Sequence, residues 1–285
     1  MKIGIIGNGF VGKATKILAC NNIKIITYDI KHDLCEPKGI TLNDICSCDI
    51  IFVSVPTPMN NDGSCHLKIL ESVISNLNNY IDLNTKCVVI RSTVPPGTSD
   101  SLNCYFMPEF LTEKNFKSDF INNQKWIFGL KGVGQDDDFK DKINCLIFTS
   151  FKNGKIKYNN IHYVLNSEAE LIKLYRNTFL ALKVSFCNEI YEFCQKKGIN
   201  YENVRLLAAA DPRINLSHTN VPGPDGQLGY GGTCFPKDMH NLLQQMNKIS
   251  MKSYIIESAI KRNEEVDRHD KDWNLNIGRS VVWEK

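Results

Sequence analysis

The sequence predicts an α/β protein: a doubly wound parallel sheet in the N-terminal half, then a long central helix and a small all-α domain. Three observations predict it. Short apolar runs alternate with helix-compatible stretches through the first half. A glycine-rich turn joins the first run to the first of those stretches. The stretch from Ser167 to Lys197 contains neither proline nor glycine. A chain of 285 residues suits about two domains, expected at 1–165 and 166–285.

The opening "MKIGIIGNGFVGKATKILA" is a short strand, a turn at Gly7, Gly9 and Gly12, and the start of a helix. The three glycines supply, in turn, a tight bend, room for a pyrophosphate, and close packing of helix on strand. Alone the pattern is weak evidence. It is strengthened by "IKIITYD", a second strand ending in Asp29, about 20 residues on, where an acid bonds a ribose 2′-hydroxyl. The half is therefore expected to be Rossmann-type and to bind NAD through Gly7, Gly9, Phe10, Val11, Gly12 and Asp29, with Lys31 leaving NADP open. "CDIIFVSVPTP" and "KCVVIRSTVPPGT" are further strands, separated by a helix over Lys68–Tyr80. Ligands of such sheets lie beyond the carboxyl ends of strands, which makes Val55, Pro56, Thr57, Ser92 and Thr93 candidate cofactor contacts. "YFMPEF" and "WIFGLKG" read as additional strands.

Ser167 followed by Glu170 has the form of a capping box, and Gly198 suits the position after a helix, so Ser167–Lys197 is expected to be one helix. Its apolar residues Leu171, Leu174, Phe179, Leu182, Phe186, Ile190 and Phe193 recur at helical spacing, and so long a helix needs a partner surface, so a homodimer is expected. Lys173 and Asn177 share a face, although a lysine so placed is ordinarily solvated.

Hydrophobic residues make up 42% and charged ones 23%, with a formal net charge of +3. That balance, without a basic block, speaks against a nucleic-acid surface. No apolar run is long enough to span a bilayer, and no leader is evident, so a cytoplasmic protein is expected. The 11 cysteines lack the spacing of a disulfide framework or zinc site, so no metal is expected.

One cysteine stands apart. In "GYGGTCFPKD", Cys234 follows a glycine run that lets backbone approach a ligand, and Asp238 comes four residues later. With "GNGFVG", "VSVPTP", "RSTVPPGT", "PEFLTE", "SEAELIKLYRNTFLALKVSFCNEI" and "DPRI" in this order, the chain resembles the nucleotide-sugar 6-dehydrogenases, the UDP-glucose and GDP-mannose dehydrogenase family, from Met1 to about Arg268.

The resemblance implies oxidation of a sugar C6 alcohol to a carboxylate with two NAD per substrate, UDP-glucose being the expected one. Cys234 matches the nucleophile that carries a thiohemiacetal and then a thioester. Lys173 and Asn177 match the groups that stabilise the oxyanion, and Asp238 an acid that, with Lys173, manages the alcohol proton. Glu109 matches the glutamate that activates water, and Thr93 the threonine that orders it. Glu113 and Lys237 match residues near the cofactor. Substrate contacts would come from Phe110, Leu111, Thr112, Glu113, Lys173, Asn177, Arg213, the loop Gly223, Pro224, Asp225, Gly226 and Gln227, and from Gly231 and Phe235.

Family members continue into a third, nucleotide-gripping domain, which the matched stretch does not include. Met107 and Lys114 depart from the motif around "PEFLTE". Two other readings stay open: a two-electron β-hydroxyacid-type dehydrogenase, which also pairs a Rossmann domain with a long helix, and a non-catalytic NAD-binding subunit.

Overall fold

Seven strands form one sheet in the order β2-β1-β3-β4-β5-β6-β7. They are β1 (Lys2–Ile6), β2 (Lys24–Tyr28), β3 (Ile50–Val53), β4 (Cys87–Ile90), β5 (Tyr105–Phe106), β6 (Trp126–Leu130) and β7 (Ile161–Leu165). All neighbouring pairs are parallel except β5 with β6. The computed structural model describes residues 1–282, and the last three residues of the second predicted domain lie outside the described residues. The chain divides into two units, Met1–Thr57 with Leu67–Lys173, and Pro58–His66 with the chain from Leu174 onward.

In the first unit the central strands β3 and β4 are buried on both faces, their side chains alternating between the two. Ile50, Phe52, Cys87 and Val89 face one core cluster; Ile51, Val53, Val88 and Ile90 face the other. Helices α1 (Phe10–Thr15), α2 (Leu42–Cys46), α3 (Lys68–Asn78), α4 (Thr98–Ser101), α5 (Phe116–Ile121) and α6 (Asp136–Lys152) complete the doubly wound pattern. Phe139, Ile143, Leu146 and Ile147 of α6 cover the first face, and Leu70, Ile74 and Leu77 of α3 the second. The apolar spacing of α3 over Lys68–Tyr80 in sequence thus reports its buried stripe, and the helix ends two residues early at Asn78.

Two expectations are corrected, and two elements are added. "YFMPEF" supplies only two strand residues, because after Phe106 the backbone turns into the Glu109 loop. β7 and α6 escaped the sequence reading; the β7 pattern is half-buried, which blurs its alternation. The long helix, α7 (Asn166–Lys197, 32 residues), starts one residue early and has no Ser167–Glu170 capping box. Glu168 accepts from the Leu165 amide at 2.8 Å instead, which frees Glu170 for a buried role.

The second unit is helical. Beyond its part of α7 it holds α8 (Tyr201–Ala208), α9 (Phe235–Lys248) and α10 (Ile255–Arg262), with a π-helical turn at Asn263–Asp267. Ala181, Tyr230, Met239, Ile256, Ala259 and Ile260 form one core cluster. Met59, Trp273 and Val281 form another, in which the Met59 amide donates to Ser280 O at 2.7 Å and Val282 donates back to Met59 O at 2.9 Å.

Candidate active site

The turn between β1 and α1 is built as a phosphate loop must be. Gly7 has φ +93°, and a Cβ on Gly12 would stand 2.0 Å from Gly7 O, so neither position admits a side chain. Gly9 is different: a Cβ there would meet nothing within 4 Å, and Phe10 and Val11 follow it half-buried into α1. The open side of the loop is where a ligand's backbone approach is possible. Asn8 leaves its buried Oδ1 without a hydrogen-bond partner. Asp29 accepts from the amides of Asn8 (2.8 Å) and Lys31 (2.9 Å), which fixes its carboxylate at the end of β2. This set fits a dinucleotide.

The loops after β3 and β4 are tied to each other. Thr57 Oγ1 donates to Thr93 O at 2.7 Å, and Ser92 Oγ donates to Val55 O at 2.6 Å. Thr57, Ser92 and Thr93 are buried, Val55 is half-buried and Pro56 exposed.

The same unit carries a buried ion pair. Lys173 Nζ donates to Glu109 Oε1 at 2.7 Å, while Glu109 Oε2 accepts from the Leu111 amide at 2.9 Å. Burial works against the Glu109 charge, but Lys173, the Leu111 amide and Arg91 outweigh it and hold the carboxyl below its ordinary range. Arg91 is fully buried and its guanidinium donates to Thr15 Oγ1 of α1; burial pushes it down to about 10, with Glu109 acting the other way. Phe110 lies under the Lys173 ammonium, 5.9 Å from ring centre to nitrogen. Thr112 binds Asp119 through its amide (2.8 Å) and hydroxyl (2.6 Å), and Glu113 is exposed. A lysine that spacing alone would put in solvent is therefore 3% exposed.

The second unit supplies the cysteine. Cys234 is half-exposed at the N-cap of the 14-residue α9, whose first turn contains Pro236. Lys237 Nζ bonds Asp238 Oδ1 at 2.6 Å, and Asp238 Oδ2 accepts from Asn177 Nδ2, also at 2.6 Å. Asp238 and Asn177 are both buried. Burial would neutralise Lys237, but Asp238 first and Cys234 second hold it charged, above the usual lysine range. A helix N-terminus and an ammonium thus bring positive charge to the sulfur, the surroundings that favour a thiolate.

Two asparagines clamp the glycine loop before Cys234. The Gly229 amide donates to Asn188 Oδ1 (3.0 Å), the Tyr230 amide to Asn263 Oδ1 (2.8 Å), and Asn263 Nδ2 returns a bond to Tyr230 O (3.0 Å). A Cβ on Gly231 would meet Arg268 Nη1 at 2.0 Å. Arg268, itself buried, also grips Asp225 of the loop Gly223–Gln227, whose turn is closed by the Gly223 amide on Gln227 O at 2.8 Å. Pro224, Asp225, Gly226 and Gln227 are exposed. Phe235 packs against His218, 5.8 Å between ring centres. Arg213 is exposed and paired with Asp211.

Arg91, Asn188, Asn263 and Arg268 were not singled out from sequence, and Glu170 only as a capping residue. Their partners are distant in the chain, Ser99 for Glu170 being 71 residues away, and no local spacing reports such a pairing. All 11 cysteines are free thiols, and no group of His, Cys, Asp or Glu among the described residues could hold a metal ion. No helix among them is long and apolar enough to cross a membrane.

The NAD binding domain of the UDP-glucose/GDP-mannose dehydrogenase family matches residues 39–143, and the family's central domain matches residues 167–265. The UDP-glucose 6-dehydrogenase of Rickettsia prowazekii is 31% identical over 267 residues, covering 87% of this chain and 57% of that protein. That of Rickettsia typhi is 29% identical over 263 residues, covering 87% and 57%. The chain thus spans little more than half the length of the curated relatives it matches. A UDP-glucose dehydrogenase from the hyperthermophilic archaeon Pyrobaculum islandicum shares the fold, with a TM-score of 0.78 at 24% identity over 93% of this chain and 68% of that one. Two domains of one family, matched in order over residues 39–143 and 167–265, show that the protein belongs to the UDP-glucose/GDP-mannose dehydrogenase family, with NAD as its cofactor.

Proposed function

We propose that the chain oxidises a nucleotide sugar at C6 by four electrons, UDP-glucose to UDP-glucuronate, through a covalent intermediate on Cys234. The observation that carries this reading is Cys234 at the head of α9, with Lys237 and the buried Asp238 on the next turn and Asn177 bonded to Asp238. A two-electron dehydrogenase has no use for a thiol so disposed.

Bound NAD supplies the hydride acceptor at each oxidation. Asp238 takes the hydroxyl proton as the alcohol becomes an aldehyde, which has no alcohol left to oxidise. The Cys234 thiolate adds to that carbonyl carbon, and a proton on the oxygen completes a thiohemiacetal, which again bears an oxidisable C–H and O–H. Its oxidation leaves a thioester. The ionised Glu109 deprotonates a water held by Thr93; the water oxygen bonds to the acyl carbon, the C–S bond breaks, and the carboxylate leaves with Cys234 restored. Lys173 and Asn177 donate to the oxyanions along the way. Phe110, Leu111, Thr112, Arg213, the loop Gly223–Gln227, Gly231 and Phe235 are assigned to the substrate, and Glu113 and Lys237 to the cofactor side.

The dimer belongs to the same proposal. On α7, Leu171, Tyr175, Phe179, Phe186 and Phe193 are exposed by 44%, 65%, 58%, 64% and 54%. At about 100° per residue they fall within about 80° of arc, one apolar stripe on one side of the helix. A second copy of this stripe is its natural cover.

The test is NADH formed per limiting UDP-glucose with excess NAD. Two NADH per sugar nucleotide are expected. One NADH would support two-electron chemistry, and NAD binding without turnover of any nucleotide sugar would support a non-catalytic subunit.

A further inference from the structure

We infer that Glu170 is a positioning residue for the cofactor: its carboxylate holds the loop after β4 in the shape in which Ser92 and Thr93 meet NAD. The inference rests on the proposed reading of those two residues as cofactor contacts.

Glu170 is completely buried on α7. Its Oε2 accepts from the Gly97 amide at 2.6 Å and its Oε1 from the Ser99 amide at 2.8 Å. Both oxygens are thus spent where the loop after β4 enters α4, on its N-cap Gly97, which takes φ +90°, and on Ser99 in its first turn. The other end of that loop is held by Thr57 on Thr93 O and by Ser92 on Val55 O. The residues from Ser92 to Gly97 are therefore pinned at both ends, and only one pin is a charged side chain. A buried carboxylate is a costly way to fill space, and α7 does not need it as a cap, because Glu168 already serves Leu165 in that way. What an acid does that an apolar residue cannot is pair two amides at once.

The pin can also sense protons. Burial pushes the Glu170 carboxyl up to about 7, against the pull of the bonds from Ser99 and Gly97, and Asp100 adds to the rise. Asp100 is the charged group that α4 brings to it, and is itself held by Asn166 Nδ2 at 2.6 Å. Ionised, Glu170 accepts both amides; protonated, one of its oxygens carries a hydrogen and faces an N–H. Cofactor binding that favours the pinned loop therefore draws the proton off Glu170.

The experiment is calorimetric titration of NAD into the full chain near pH 7, in buffers of different ionisation enthalpy, with thermal melts alongside. The wild-type chain is expected to release a fraction of a proton per NAD bound. Glu170→Gln is expected to lose that release and to bind NAD about tenfold more weakly, as befits losing one hydrogen bond to a charged acceptor. A merely structural role would lower the melting temperature without touching the proton count. NAD affinity and proton release unchanged in Glu170→Gln would overturn the inference. Should that variant not fold, the wild-type titration decides, since binding without proton release on either side of pH 7 overturns it equally. Unchanged NAD affinity in Ser92→Ala and Thr93→Val would instead sink the assignment of the loop to the cofactor, and this route with it.

Discussion

Lys173 donates to Glu109 at 2.7 Å, with the two side chains only 4% and 6% exposed. The partners are 64 residues apart in sequence, and neither charge has much water to fall back on. Removing one partner strands the other. Glu109→Gln is expected to destabilise the chain by about 3–5 kcal/mol in urea unfolding, and Glu109→Gln with Lys173→Met to recover most of that loss. A single variant as stable as the wild type would mean that water reaches the pair.

Two buried carboxyls give opposite pH dependences. Glu109 is held below the ordinary 4.5, so its contribution to stability is present above that value and lost as pH falls through the folded one. Glu170 is raised to about 7, so its contribution is full below 4.5 and lost as pH rises through 7. The melting temperature of the wild type, measured relative to Glu170→Gln, is therefore expected to fall from mildly acidic to mildly alkaline pH. A difference that stays flat would show Glu170 ionised throughout.

Cys234 and Asn177 separate the stages of the proposed reaction. Cys234→Ser is expected to abolish the second NADH, because without the thiolate adduct the aldehyde has no C–H and O–H to lose together. Asn177→Ala removes a donor and leaves the Asp238 carboxylate without its 2.6 Å partner. It is expected to lower kcat by about 10²–10³ with little change in KM. Stoichiometry of NADH and acid product reads the first, and steady-state kinetics the second. Full four-electron turnover by Cys234→Ser would remove the covalent route.

The α7 stripe predicts an assembly phenotype. Phe186, 64% exposed at mid-helix, is expected to tolerate arginine in the isolated fold yet to disfavour a face-to-face pair of stripes. Light scattering after size exclusion should find a dimer in the wild type and a monomer in Phe186→Arg. A monomeric wild type would leave the stripe to a different partner.

Much of the fold was legible because it is local. Gly7 and Gly12 announce a backbone shape that side chains would block, and the continuous apolar runs "IIFV" and "CVVI" announce strands buried on both faces. The break-free run after Ser167 announces α7. The motif around Cys234 likewise carried its own meaning, since a glycine run, a cysteine and an aspartate four residues on all lie in one short stretch.

The sequence by itself therefore determined the doubly wound architecture, the dinucleotide turn, the long helix and which cysteine follows a glycine run. Only the tertiary structure decided which charges meet. Glu170 has the spacing of a capping box, yet it lies buried against Gly97 and Ser99 because Glu168 already serves Leu165. Lys173 has the spacing of a solvated face, yet Glu109 takes it into the interior. Arg268 reads as one more basic residue, yet it fills the space that glycine leaves at position 231. Backbone preferences act between neighbours and are written in short stretches; a buried charge is fixed by whatever opposite charge or amide the folded chain brings beside it, and that partner can come from anywhere in the sequence.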